Sequence, residues 1–374
     1  MKSLEKKRIF GLDLLRAIAI SLVVVSHCTY ILFPENTNSL VTLIRVFGAI
    51  GVDLFFVLSG YLIGGILLRT LLNNKVTFSH LMLFWKRRWL RTLPNYILIL
   101  IVNILLGVIL GYTLPDNIAN YFVFFQNFTT PHPDFFTEAW SLSIEEYAYI
   151  LLPLVLFLSI GVWRKTDKSR LFFIVSLASI ILLFVFKIFY FYTAEVNSYK
   201  QWSATYRKVV VYRLDAIYIG FLVAYLTHVK TKLMIRYNVF FSVLGGLLLL
   251  FLHVVIYWCK LLPQTHLWFY VFIYLSLVVL SLALVVPYFS MLNYTGTGSK
   301  LTVYISKISY SIYLINYSIV LLTLEYFYDF SSMGFVSKIG VLILFLVLTI
   351  ILSSVVYKFF ERPIMRYRHR KYPS

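Results

Sequence analysis

One stretch constrains this chain more than any other: Gly11 to Tyr30, GLDLLRAIAISLVVVSHCTY. It is apolar over the length a helix needs to cross a bilayer, about 20 residues, yet it carries Asp13, Arg16 and His27. A helix turns about 100° per residue, which brings Arg16 and His27 within roughly 20° of each other and Asp13 within roughly 60° of Arg16. The three polar groups therefore share one stripe, while Ile18, Leu22 and Val25 face elsewhere. Along the axis Arg16 and His27 stand about 16 Å apart, around half the hydrocarbon thickness. Ionisable groups inside a membrane are costly, so a stripe of three reads as the wall of a polar cavity. Asp13 and Arg16, one turn apart, also fit a simpler role as a pair that neutralises itself near the helix start.

The rest of the chain agrees with a membrane setting. Of its 374 residues 60% are hydrophobic and 13% charged, more apolar surface than a water-soluble core absorbs. The net charge of +19 points to no nucleic acid, because the basic residues lie between apolar runs rather than on one polar face. Two cysteines, Cys28 and Cys259, give no disulfide framework, and the seven histidines have no metal-ligand spacing. Hydropathy predicts about ten spans, at 11–31, 47–68, 93–111, 142–162, 171–192, 210–227, 238–258, 267–288, 306–327 and 339–357. Alternate connections are basic, from Lys2, Lys6, Lys7 and Arg8 at the start, through Lys75 and Arg164, to the final group after Lys358. Basic loops stay cytoplasmic, which places both termini inside and His27 toward the outer surface. The first span reads as a retained signal anchor of the plasma (inner) membrane. The expected fold is an all-α polytopic membrane protein, about ten helices around a central polar cavity, with 1–374 as a single domain. The connection 112–140 is the longest outer loop and suits a lid or rim.

Several motifs carry chemistry. FGAIGVDLFFVLSGYLIGG contains Gly60 and Gly64, four apart and suited to close helix approach, and places Asp53 at a depth similar to His27. A carboxylate beside the imidazole would raise its basicity and fix its tautomer; Asp53 at the membrane surface is the plainer alternative. FWKRRWLRTLPNY sets Arg88 and Arg91 on one helical face with Arg87 beside them, a cluster at a helix start that suits phosphate oxygens. Anchoring to lipid headgroups would use the same residues. EAWSLSIEEYAYILLPL carries Glu145 and Glu146 into a membrane helix, VYRLDAIYIG places Arg213 and Asp215 at the start of another, and KISYSIYLINY puts Tyr310, Tyr313 and Asn316 inside a late one.

Arg16 with ten residues before His27, then GVDLFFVLSGYLI, RRWLRTLP, WSLSIEEYAYILLP, RLDAIYIG, ISYSIYL and FERP, in this order, resembles the acyltransferase family 3 membrane proteins from the first helix to Pro363. The resemblance implies O-acylation, usually O-acetylation, of cell-surface glycans and other exported acceptors, with acyl-CoA as donor. It implies that Arg16 and His27 are the essential pair, that Arg88 and Arg91 form the Arg-x-x-Arg element, and that Glu145 is the carboxylate of the Trp-Ser-Leu-x-x-Glu motif. The family often carries His where this chain has Asn316, and some relatives add a C-terminal extracytoplasmic esterase-like domain that this sequence does not show. The expected activity is an O-acetyltransferase that moves acetyl from acetyl-CoA to a polysaccharide or glycolipid hydroxyl. His27 is the base, oriented by Asp53 or Glu145, and Arg16 holds the donor or the oxyanion. Arg87, Arg88 and Arg91 bind CoA phosphates, and no metal takes part. A transporter or flippase of an envelope precursor is the rival class, since intramembrane charges and about ten helices describe those too. Paired halves with helices broken at matching positions, common in transporters, are not evident. An envelope scaffold would leave the polar stripe without a use.

Overall fold

Ten helices long and apolar enough to span a membrane follow one another in the computed structural model, which describes residues 8–35, 38–73, 77–163 and 165–372. They are α1 Phe10–Leu32, α2 Leu40–Leu72, α3 Phe78–Leu110, α4 Ala139–Val162, α5 Lys168–Thr193, α6 Val210–Val229, α7 Thr231–Trp258, α8 Phe269–Met291, α9 Ser299–Phe327 and α10 Phe335–Lys371. No strand occurs among the described residues. Lys2, Lys6, Lys7, Lys75 and Arg164 of the basic connections lie outside them. The protein is an all-α integral membrane protein.

Several helices begin earlier or end later than hydropathy predicts, and the reason is common to them. Hydropathy reports the apolar middle of a helix, whereas backbone hydrogen bonding carries the helix past it. α3 begins at Phe78 rather than residue 93, with the Thr77 side chain accepting from His80 N–H as its N-cap. It runs through Pro94 and stops at Gly111, whose φ of 73° is the left-handed conformation that closes a helix. Arg87, Arg88 and Arg91 therefore sit inside a long helix, not at a helix start. α10 likewise continues beyond residue 357 to Lys371.

Two devices bring the helices together. α2 and α6 cross backbone to backbone at Gly60 and Gly220; a Cβ on Gly60 would lie 2.0 Å from the Ile217 carbonyl oxygen, and one on Gly220 2.3 Å from that of Val57. Proline supplies the second. Pro153 in α4 cannot donate to Tyr149, and the freed carbonyl accepts the Trp85 indole N–H of α3 at 3.0 Å. α7 stands outermost, with only Met234, Gly245 and Leu252 buried along it.

The connection 112–140 is packed rather than loose. Its short helix Ala119–Phe122 buries Tyr121 completely, and Phe136 is also buried. Tyr96 donates to the Tyr121 carbonyl at 2.8 Å, and Tyr121 donates to the Phe135 carbonyl at 2.9 Å. The Asn127 amide joins the carbonyls of Trp140 and Lys208. The segment is thus tied to α3, to the start of α4 and to the chain ahead of α6.

Candidate active site

A cavity of about 860 Å³ enters the bundle from the end where α1 begins and α2 ends. Arg69, His228, Arg362, Arg368 and His369 stand around its mouth, and Arg16, Arg88, Arg91 and Glu145 line its middle. Its deep end is mostly apolar or aromatic, with Val52, Phe55, Phe56, Leu142 and Tyr313. The polar stripe of α1 thus borders a cavity only over its first half: Asp13 and Arg16 line it, His27 does not. Ile18 and Val25, expected to face elsewhere, are exposed on the outer surface of the bundle.

The cations along the cavity are not alike. Asp13 is buried and receives Arg8 Nη2 at 2.5 Å, Ser306 Oγ at 2.6 Å and Arg16 Nη1 at 3.2 Å. Arg16 spends one of its five donors there and presents the rest to the cavity. Arg88 donates to Glu145 Oε2 at 2.8 Å and lies over the Tyr149 ring, 4.2 Å from its centroid. Tyr149 and Ser59 donate to the same carboxylate. Arg91 makes no hydrogen bond or ion pair among the described residues and is exposed to the cavity. Arg87, expected beside them as a phosphate ligand, does not line the cavity, because one residue of helix turns it about 100° away.

His27 lies at the other end of α1, and its partner is neither expected carboxylate. Its Nδ1 meets Asn316 Oδ1 at 2.5 Å. Asp53 is paired instead with Arg213 of α6, and Glu145 with Arg88. The Asn316 amide is fixed by its own donors, which reach the carbonyls of Ile312 at 2.7 Å and Tyr313 at 3.0 Å. Its oxygen must therefore face the imidazole and accept, so the hydrogen-bond pattern places the His27 proton on Nδ1. Nε2 has no hydrogen-bond partner among the described residues, and in the neutral ring it is the acceptor a general base requires. Asn316 is thus the residue that orients the histidine. No periodicity reveals this, since the two lie 289 positions apart.

Local geometry explains how Asn316 is held. A π-helical turn runs from Asn316 to Leu321, and such turns interrupt the regular pairing of backbone groups. Two amides at the bulge, Tyr317 N–H and Ser318 N–H, donate to Glu138 Oε1 at 3.2 and 2.8 Å. Tyr317 also sets its ring 4.9 Å from that of His27, centroid to centroid. Glu138, just ahead of α4, is a residue the motif reading passed over; its only signal was a carboxylate before a membrane helix. Burial raises its carboxyl to about 7, against the pull of the amides it accepts. Nearby Lys208 is lowered to about 8 by burial and by Arg207.

Asp53, Arg213, Asp215 and Lys187 form a separate system. Arg213 pairs with Asp53 and Lys187 with Asp215, tying α2, α5 and α6 together with all four groups buried. Among the described residues no group of three His, Cys, Asp or Glu side chains could hold a metal ion.

The described residues thus form a ten-helix membrane bundle with a basic cavity and, beyond it, an oriented histidine. The sequence matches the family described as acyltransferase domain over residues 9–358, and the chain belongs to that family, acyltransferase 3. It is similar to the O-acetyltransferase OatA of Staphylococcus aureus, 26% identical over 388 aligned positions that cover 95% of this chain and 57% of the relative. It is also similar to the peptidoglycan O-acetyltransferase OatA of Listeria monocytogenes, 31% identical over 190 positions, 46% of this chain and 28% of the relative. The match thus takes in little more than half the length of the first relative and under a third of the second. No solved structure matches it significantly.

Proposed function

We propose that the chain is an O-acyltransferase of the plasma membrane. It takes an acyl group, acetyl in the first place, from acyl-CoA on the cytoplasmic side and delivers it to a hydroxyl of a cell-surface or exported glycan. The observation that carries this reading is the polarity of the cavity: basic at the mouth, aromatic at its deep end, and directed toward a histidine with one free ring nitrogen. Phosphates of CoA fit the arginine-rich part, where Arg91 and Arg16 have donors to spare. The pantetheine arm follows the cavity inward. The names of the relatives support acetyl as the group and a peptidoglycan-like glycan as the acceptor.

In this reading His27 Nε2 removes the proton from the acceptor hydroxyl as its oxygen attacks the thioester carbonyl. The C–S bond of the tetrahedral intermediate then breaks, the CoA thiolate leaves, and the proton passes from His27 to that sulfur. Asn316 keeps Nδ1 protonated throughout and so reserves Nε2 for the exchange. Arg16 lies about 16 Å from His27 along α1, which favours donor holding over oxyanion stabilisation for it. Both termini and the basic mouth are cytoplasmic, in keeping with the basic connections. All residues of this scheme lie within 9–358, the span of the family match.

Sidedness provides the test. Sealed, oriented vesicles receive labelled acetyl-CoA on one face and a peptidoglycan fragment on the other. Labelled product is expected only with donor on the face of Arg368 and acceptor on the face of His27. Product formed only when both reagents share the basic face would overturn the placement of the acceptor.

A further inference from the structure

His27 lies outside the cavity, and Tyr313 at the deep end is linked to it through Asn316. Its ring lines the deep end together with Phe55, whose ring centroid is 6.3 Å away, edge-on. The Tyr313 hydroxyl shares a 2.6 Å hydrogen bond with Ser141 of α4. One turn further along α9, Asn316 holds His27, and its amide donates to the Tyr313 carbonyl itself. A helical side chain leans toward the N-terminus of its helix, which for α9 is the cavity side. The Tyr313 ring therefore forms part of the deep wall of the cavity, tethered to α4 by a pair of hydroxyls.

We propose that Tyr313 is the specificity-determining floor of the donor cavity, restricting the acyl group to a short chain. The inference rests on the acyl-CoA reading above. With the phosphates engaged at the arginine end, the thioester is delivered to the deep end, and the tail beyond its carbonyl meets the faces of Tyr313 and Phe55. A methyl group fits against such a wall; each added methylene must displace an aromatic ring held in place by Ser141 and by the Glu138 carbonyl. Discrimination of roughly tenfold or more is the usual consequence of one methylene too many in a closed apolar pocket.

The test measures binding of non-hydrolysable thioether analogues of acetyl-, propionyl- and butyryl-CoA to the purified full chain, with CoA itself as the reference that divides out effects at the arginine end. Wild-type protein is expected to lose about tenfold in affinity from the acetyl to the propionyl analogue and about a hundredfold to the butyryl one. Tyr313→Phe keeps the ring and should keep that slope. Tyr313→Ala removes the wall and should flatten it to within about threefold, and Tyr313→Leu, which keeps an apolar side chain in the gap should alanine fold poorly, should flatten it in part. An unchanged slope in the Leu variant, or a wild type that binds all three analogues alike, overturns the role of Tyr313 while leaving the acyl-CoA reading intact. A wild type that binds neither CoA nor any analogue overturns that reading and this inference with it.

Discussion

Two sets of charges lie inside this bundle, and they are built on opposite principles. In the set formed by Asp53, Arg213, Asp215 and Lys187, each ion has an opposite partner and is sealed from solvent. Along the cavity, positive groups outnumber the carboxylates available to them, and Arg91 has no ion-pair partner among the described residues. Sealed and balanced pairs hold helices in place, since removing one partner strands the other in a low-dielectric interior. Open and unbalanced charge is ready for an anionic ligand. Residue type does not separate the two; pairing and access do. His27 belongs to neither set, since its partner is the amide of Asn316.

The comparison can be broken most directly at His27. His27→Ala should lower transfer by about 10²–10⁴-fold, the usual worth of a general base, with membrane abundance near normal. His27→Gln should fail equally, because glutamine can hydrogen-bond but cannot take up the proton. Retained transfer in either variant, measured as acetylated glycan by mass spectrometry, would remove the base from the scheme.

Asp53→Ala tests the sealed set. It leaves Arg213 buried without a counter-ion, at a cost of about 3–5 kcal/mol. Folded protein recovered in detergent should fall sharply, while transfer per folded molecule changes little. A normal melting temperature with abolished transfer would instead move Asp53 into the catalytic machinery.

Arginine-to-lysine substitutions sharpen the contrast within the cavity. Arg91→Lys keeps the charge but loses the bidentate fork, so acyl-CoA affinity should drop by about tenfold with the melting temperature unchanged. Arg88→Lys also loosens the contact with Glu145 and the Tyr149 ring, and should lower both. Headgroup anchoring alone predicts silence in the binding assay for both variants.

The smallest effect is a pH dependence at Glu138. Its carboxyl is raised by burial from 4.5 to about 7, so the folded chain keeps a proton that the unfolded chain releases. Stability contributed at this site should therefore fall as pH rises from about 4.5 to about 7 and level off above that. Glu138→Gln, which retains an acceptor oxygen for the Tyr317 and Ser318 amides, should remove that part of the slope in melting curves taken across this range. An identical slope in the variant would place the titration elsewhere.

Much of this protein was legible in its residues. The ten apolar runs announce the spans because backbone polar groups in lipid must be satisfied within each helix, so composition and length are enough. The stripe on α1 was legible for a related reason: helical periodicity is local, and the angle between Arg16 and His27 follows from their spacing alone. Local rules also explain the misjudged ends, since a window of hydropathy does not register the amphipathic first turns of α3 or the basic continuation of α10.

Only the tertiary structure decided which polar groups meet. Asp53 and Glu145 each had the chemistry to orient His27, and each found an arginine, Arg213 on α6 and Arg88 on α3. Asn316, whose sequence context marked it only as a departure, became the partner of the histidine through a π-helical turn that Glu138 secures from the residue just ahead of α4. The physical reason is distance along the chain. Spacing within one helix is set by geometry that every residue carries with it, whereas pairing between helices depends on how ten of them pack, and glycines such as Gly60 and Gly220 settle that packing at contacts some 160 residues apart.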